Sequence, residues 1–422
     1  MKASVPFFRV SLSESEITDV VDALRSGWLT TGPRVKRFEE RFADAVAAPF
    51  AVALNSCTAA LHLAVRSLGL QPGQGVLVPT MTFAATAEVV RYEGGIPILV
   101  DCDPSTLNMD LRHADHIVNH ARAGGSLARL PRNVPVVGIM PVHVGGMMMN
   151  VDEIKAFAAR HDLWVVEDAA HAFPAAWRRG PEAPWQFCGQ DTAAVSCFSF
   201  YANKTITTGE GGMAVTGSPE LATRIRQLSL HGLSVDAWGR YSGKGSWDYR
   251  IIEAGYKYNM TDVAAALGIG QLARAEEMRR ARENVAHEYL ERLGDVEELE
   301  LPPTDSDRIH AWHLFPIRLR LESLSIDRDS FMRELALAGV SCSVHWRPLH
   351  LHPYYEQSFG WLPANLPTAS AIWTRLVTLP LFSALDGDEI DLVINAVRMV
   401  CRRSARVFVT RHTAATPAGS QS

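Results

Sequence analysis

Short apolar runs alternate with turns and amphipathic stretches across the first two-thirds of the sequence, and this alternation restricts the fold more than any other feature. Residues 51–54 lead into a helix-like 58–68, 76–79 into 83–92, and 96–100 into a polar stretch ending near Arg122. Residues 134–142 precede a helical pattern over 151–161; the run 163–167 follows at once, and 195–200 and 213–216 add two more strand-like runs. Strands apolar on both faces, separated by helices, predict a mostly parallel sheet covered on both sides. The expected class is α/β.

The texture changes near residue 264. A long charged helical pattern covers 264–293, followed by alternating segments such as 311–319, a helix-like 328–338, Pro-rich loops and a closing helix over 389–400. A chain of 422 residues is long for one core. The pattern predicts a large domain over 1–265 and a smaller α+β domain over 266–402, with the long helix as connector. The Ser-, Thr- and Ala-rich stretch 403–422 is expected to be a disordered tail.

Bulk chemistry narrows the partners. A net charge of −5 argues against nucleic acid, whose binding needs clustered basic charge. The six cysteines are scattered without a C-x-x-C pair, which fits a reducing, cytoplasmic setting better than a disulfide framework. The first residues carry no apolar signal-like stretch, and 134–149 is too short and too interrupted by Pro141, His143 and a Gly pair to span a membrane.

There are six lysines: Lys2, Lys36, Lys155, Lys204, Lys244 and Lys257. Five sit in an N-terminal arm, helical polar positions, a Gly-rich loop or a surface-like Gly-Tyr-Lys-Tyr-Asn. Lys204 differs, because it follows the strand-like Val-Ser-Cys-Phe-Ser-Phe and precedes Thr-Ile-Thr-Thr-Gly-Glu-Gly-Gly. Ligands of open α/β sheets bind outside the carboxyl ends of the strands, where a partly desolvated lysine becomes nucleophilic towards a carbonyl. A solvated surface lysine is the ordinary alternative for Lys204 taken alone.

Other residues supply what such a lysine needs. Asp168 ends the apolar strand 163–167 and would hold a proton on a pyridine nitrogen, or simply cap the next helix. His171 would lie beside the ring or be a core histidine. Asn55-Ser-Cys-Thr-Ala-Ala opens a helix after a strand, making Thr58 and the Ala59 amide candidate phosphate donors, although such starts are often only caps. Ser199 is a second donor, and Phe83 would cover a ring face or be buried. His345 and Arg347, in His-Trp-Arg-Pro-Leu-His-Leu-His, are expected to face substrate; their spacing matches no zinc motif, and no metal is expected. The Gly-Glu-Gly-Gly at 209–212 reads as a tight turn, and Arg274, Glu276, Glu277 and Arg279 as a solvated, ion-paired helix face.

Several segments occur together in order: Gly27-Trp-Leu-Thr-Thr-Gly-Pro, Asn55-Ser-Cys-Thr-Ala-Ala-Leu-His, Pro141-Val-His, Glu167-Asp-Ala-Ala-His-Ala, Lys204 with Thr207-Thr-Gly-Glu-Gly-Gly, and Gly255-Tyr-Lys-Tyr-Asn-Met-Thr-Asp. From about residue 6 to 400 the chain resembles the DegT-type sugar aminotransferases, fold type I enzymes that use pyridoxal 5′-phosphate. Leu230-His-Gly-Leu-Ser-Val-Asp-Ala and His310-Ala-Trp-His-Leu-Phe resemble the subgroup acting on UDP-4-keto-pentose. The resemblance implies that Lys204 forms the Schiff base and moves protons, Asp168 partners the pyridinium, and His171 lies beside the ring. It also implies phosphate binding by Thr58, Ala59 and Ser199, and an Asn259 that reaches the partner's cofactor phosphate in a homodimer with shared sites. L-glutamate is the implied donor and a nucleotide-linked 4-keto sugar the acceptor, UDP-linked in the favoured reading and dTDP- or GDP-linked in the alternative. A non-catalytic, regulatory cofactor-binding protein is the other alternative. Thr205, Phe83 and an enlarged segment between Asp168 and Lys204, with Trp177 and Trp185, depart from the family pattern.

Overall fold

A computed structural model of the protein describes residues 4–125, 128–234 and 249–406. Its strands are β1 (Phe50–Leu54), β2 (Gly75–Pro79), β3 (Ile96–Val100), β4 (Val136–Ile139), β5 (Trp164–Asp168), β6 (Ala176–Trp177), β7 (Gln186–Phe187), β8 (Val195–Ser199) and β9 (Gly212–Thr216), then β10 (Leu299–Glu300), β11 (Arg308–Ile309), β12 (Phe315–Leu319) and β13 (Leu376–Leu379). Seven of them form one sheet in the order β1-β9-β8-β5-β4-β2-β3. β2, β3, β4, β5 and β8 pair in parallel, and β9 runs antiparallel to both its neighbours. This is the mostly parallel α/β sheet that the alternation predicts. β2, β3 and β9 are buried along their whole length, which explains their unbroken apolar sequence.

The helices covering this sheet start where side-chain caps allow. Ser56 caps Cys57–Ser67, Asn150 caps Val151–His161 and Ser218 caps Pro219–Ser229, each accepting a backbone N–H of the first turn. A second core surrounds the small sheet β10-β12-β13 and includes Tyr289, Phe315, Phe331 and Val397. It is closed by Gly387–Ser404, a helix with a capping box at Asp386 and Glu389. That helix runs beyond the predicted 389–400 and takes in the first residues of the expected tail; the rest of the tail from 407 lies outside the described residues, as do Lys2 and Lys244.

Two expectations are corrected. The charged pattern over 264–293 is two helices, Asp262–Ala273 and Ala275–Leu293, broken at Arg274, which serves as C-cap of one and N-cap of the other. Its polar face is not wholly solvated either, since Arg279 is buried while bonded to Glu276 and Glu283. The enlarged segment after Asp168 forms a further small sheet, β11-β6-β7, that ties the chain at Arg308–Ile309 to the insertion.

Candidate active site

Lys204 lies five residues past the carboxyl end of β8, in a turn closed by its own N–H on the Tyr201 carbonyl at 2.9 Å. The loop is pinned by Thr207 Oγ1 on the Phe200 carbonyl at 3.0 Å and by the Thr208 amide on the same carbonyl at 2.9 Å. The residue is half-buried, but its amine is enclosed by protein groups, with Nζ 3.2 Å from His313 Nε2. Burial and then the nearby Arg282 guanidinium lower the amine towards about 8, against opposing pulls from Cys57 and Asp168. A substantial neutral fraction near neutrality is what a carbonyl nucleophile needs.

Asp168 ends β5, next to β8 in parallel register with Cys197. Its Oδ2 accepts from Thr86 Oγ1 at 2.7 Å and its Oδ1 from the Ala170 amide at 3.1 Å. Burial raises its pKa; Thr86, the Ala170 amide, Lys204 and His143 partly offset that. A buried carboxylate held by two donors, and still short of a full counter-charge, suits a cationic ring nitrogen.

The corner where the resemblance implies phosphate binding is set by strand register. Ser199 pairs with Gly212 across β8 and β9, and a Cβ at Gly212 would lie 2.4 Å from the Ser56 carbonyl carbon and 2.5 Å from the Cys57 nitrogen. Glycine there lets β9 meet the amino end of Cys57–Ser67, so Ser199, Gly212 and Thr58 share one corner. The Ala59 amide is bonded to the capping Ser56 Oγ at 3.0 Å. Thr58 is half-buried at the second helical position, whose N–H the helix itself leaves unpaired.

His171 packs among aromatic and imidazole rings: Trp346 stacks on it at 5.1 Å and His313 lies at 4.2 Å. Its Nδ1 accepts from the Gly145 amide at 3.3 Å, and burial, then Lys204 and His345, drive it well below the ordinary histidine range. Phe83 is 64% exposed beside the Thr86–Asp168 bond, which suits an aromatic that covers a ligand and not a core residue. His345 stacks on Phe7 at 5.4 Å, bonds Thr378 at 3.1 Å and is lowered to about 4 by burial and Lys204. Arg347 departs from the expected wall: it is exposed, donates to the Leu351 carbonyl at 3.0 Å and lies over the Trp373 ring. Asn259 donates to Thr31 at 2.7 Å and accepts from Lys257 at 2.7 Å, and its backbone bridges Leu54 at the end of β1.

Among the described residues, His143, Glu167 and Cys188 bring ligand-type atoms within 4.8 Å of one another; none of the His345, His350 and His352 run belongs to this group. Glu167 already accepts from Thr192 and Ser196 at 2.5 and 2.7 Å, and its other carboxylate oxygen lies 3.4 Å from the buried His143 Nε2. Burial pushes Glu167 up most, yet His143 and the two hydroxyls together hold it below its ordinary value.

Asp168, His171 and His345 lie within electrostatic reach of Lys204, Thr86 joins Asp168 to the Phe83 carbonyl, and Ser199 meets the start of Cys57–Ser67 at Gly212. The sequence reading missed Thr86, Cys57, Arg282 and the direct contact of His313. The His-Ala-Trp-His spacing held the signal for His313, but nothing local distinguished which imidazole faces the lysine. The site fits pyridoxal phosphate: it has an enclosed amine, a buried carboxylate short of a counter-charge, an anion corner and an exposed ring beside them.

A family model described as the DegT/DnrJ/EryC1/StrS aminotransferase family matches residues 10–398. An uncharacterised protein of Methanocaldococcus jannaschii is 40% identical over 399 residues, covering 94% of this chain and 97% of that protein. The spore coat polysaccharide biosynthesis protein SpsC of Bacillus subtilis is 39% identical over the same shares, 94% and 97%. Among solved structures, a putative sugar aminotransferase of Streptococcus pneumoniae in its PMP-form superposes with a TM-score of 0.83 at 31% identity, covering 94% of this chain and 99% of that one. The same protein in its PLP-form gives 0.82 at 30% identity. The chain belongs to the DegT/DnrJ/EryC1/StrS aminotransferase family and is a sugar aminotransferase that uses pyridoxal phosphate.

Proposed function

We propose that the protein transfers the amino group of L-glutamate to the keto carbon of a nucleotide-linked 4-keto sugar, with UDP as the favoured nucleotide. The observation that carries the catalytic part is the enclosed Lys204 amine within electrostatic reach of Asp168, on the strand next to β8. The bound cofactor supplies a protonated pyridine ring that accepts negative charge from the substrate carbon. Lys204 would hold the cofactor through Nζ and, as the free amine, would move a proton from the donor's α-carbon to the cofactor and, in the second half-reaction, from the cofactor to the sugar carbon. Asp168, oriented by Thr86, holds the ring nitrogen's proton. His171 and Phe83 confine the ring, Thr58 and Ser199 take the phosphate, and His345 faces the substrate side.

Exposed apolar residues at Leu29 (49%) and Ile251 (68%) support a homodimer in which Asn259 reaches the partner's phosphate. The UDP preference rests on the Leu230, Gly255 and His310 segments; residues 235–248, including the loop before Trp247, lie outside the described residues. Six free cysteines suit a reducing cytoplasm. No helix of the described residues is long and apolar enough to cross a membrane.

The test loads the enzyme with pyridoxamine phosphate and offers UDP-, dTDP- and GDP-4-keto sugars. Return of the lysine-linked cofactor absorbance with a UDP sugar is expected. A response only to dTDP or GDP sugars would move the assignment to that nucleotide, and silence with all three would remove the nucleotide-sugar class.

A further inference from the structure

The family reading gives His313 no role, yet it makes the one direct side-chain hydrogen bond to the Lys204 amine among the described residues, at 3.2 Å. We propose that His313 is the resting partner of Lys204, accepting a hydrogen bond from Nζ whenever the lysine is not joined to the cofactor and so keeping the amine in reach of the reacting carbon. The inference rests on Lys204 being the cofactor's anchor.

The contact is built from distant parts of the chain. His313 is 5% exposed, and its backbone N–H donates to the Gly145 carbonyl at 2.9 Å. Gly145 in turn donates to His171 Nδ1, so one two-glycine turn places both imidazoles. The next residue, Gly146, has φ +102°, and a Cβ there would lie 2.8 Å from the His171 carbonyl oxygen and 2.9 Å from Ala311 Cβ. On the other side Arg282, from the connecting helix, donates to the Trp312 carbonyl at 3.4 Å and to the Leu381 carbonyl at 3.0 Å. Upstream, Arg308–Ile309 is paired with the insertion strand Ala176–Trp177. Three restraints therefore converge on the short segment that carries His313.

The protonation states agree with the geometry. The titratable and charged groups around the amine are Cys57, Asp168, His171, His313, His345 and Arg282. Burial, followed by Lys204, His171, Arg282 and His345, keeps His313 well below the ordinary histidine range, so its ring is a neutral acceptor. With Nε2 accepting, the ring proton sits on Nδ1, which has no partner among the described residues. Holding one N–H of a neutral amine fixes the direction of its lone pair and its second N–H. That orientation is what a proton carrier between two carbons requires.

Two variants and the unaltered enzyme test this. His313→Gln keeps an acceptor and His313→Phe keeps the ring volume without one. In the pyridoxamine-phosphate form, where Lys204 is free, His313→Phe should lower kcat about tenfold or more with KM for either substrate changed less than about threefold. Its acid limb should move to lower pH, because the lost acceptor favours the protonated amine. His313→Gln should restore most of the rate. Equal loss in both variants, or no loss in either, would overturn the proposal. In the unaltered chain, labelled with 15N-histidine, the Nε2 signal should shift between the pyridoxamine- and pyridoxal-phosphate forms; an unmoved signal overturns the proposal even where a variant fails to fold. Borohydride reduction followed by peptide mass separates the underlying reading, which fails if the cofactor is found on a residue other than Lys204.

Discussion

In the proposed role Lys204 meets two demands that pull apart: it must be buried enough to be neutral and free enough to move. Its depressed value of about 8 comes from burial first, then Arg282, with Cys57 and Asp168 opposing. A base that must be neutral gains with pH up to that value, so single-turnover rates of the pyridoxamine-phosphate form should rise to about pH 8 and then level. Stopped-flow rates that kept climbing towards 10.5, the ordinary lysine value, would show the amine to be solvated. Asp168→Asn should lower kcat by about 10²–10⁴-fold while the cofactor still binds, since it removes charge and little volume. Unchanged turnover in that variant would end the ring-nitrogen role. Lys204 and Asp168 were legible because each follows an apolar strand. Thr86 was not, because a threonine in a helix start looks the same whether or not a carboxylate faces it.

At the scale of elements, the site depends on strand ends and helix starts meeting. Ser56 caps Cys57–Ser67 and Gly212 lets β9 approach it. Ser56→Ala should cost about 1 kcal/mol of stability and weaken cofactor affinity, both measurable by urea unfolding with and without pyridoxal phosphate. Gly212→Val should lower that affinity much further, because its Cβ would meet the Ser56–Cys57 peptide; equal affinity in the two variants would rule out the shared corner. The alternation of strands and helices was readable, since apolar periodicity is a local property. The break at Arg274 and the inward turn of Arg279 and Arg282 were not. A helix with mixed charges gives no local sign of which arginine points inward, and the acceptors of Arg282 are carbonyls on Trp312 and Leu381.

Across the whole molecule, the buried Glu167–His143 pair couples β5 to the segment after β4 directly behind Asp168. Glu167 is held below its unfolded value of 4.5, so the pair's stabilisation is complete above that pH and is lost as pH falls through the folded value. Glu167→Ala should destabilise the fold at neutral pH by about 1–3 kcal/mol, because it leaves the buried Thr192 and Ser196 hydroxyls without their acceptor. Thermal melts against pH would show it, and Glu167→Gln should flatten the loss of stability below 4.5. By itself the sequence determined the α/β class, because it is written in runs of neighbouring residues, and it singled out the lysine, the carboxylate and the helix start on which the proposed site rests. Only the tertiary structure decided that His313 faces the lysine, that Arg347 turns away to Trp373, and that Ser56 already holds the Ala59 amide. Those outcomes depend on register and on turns that bring residues a hundred positions apart within hydrogen-bond reach.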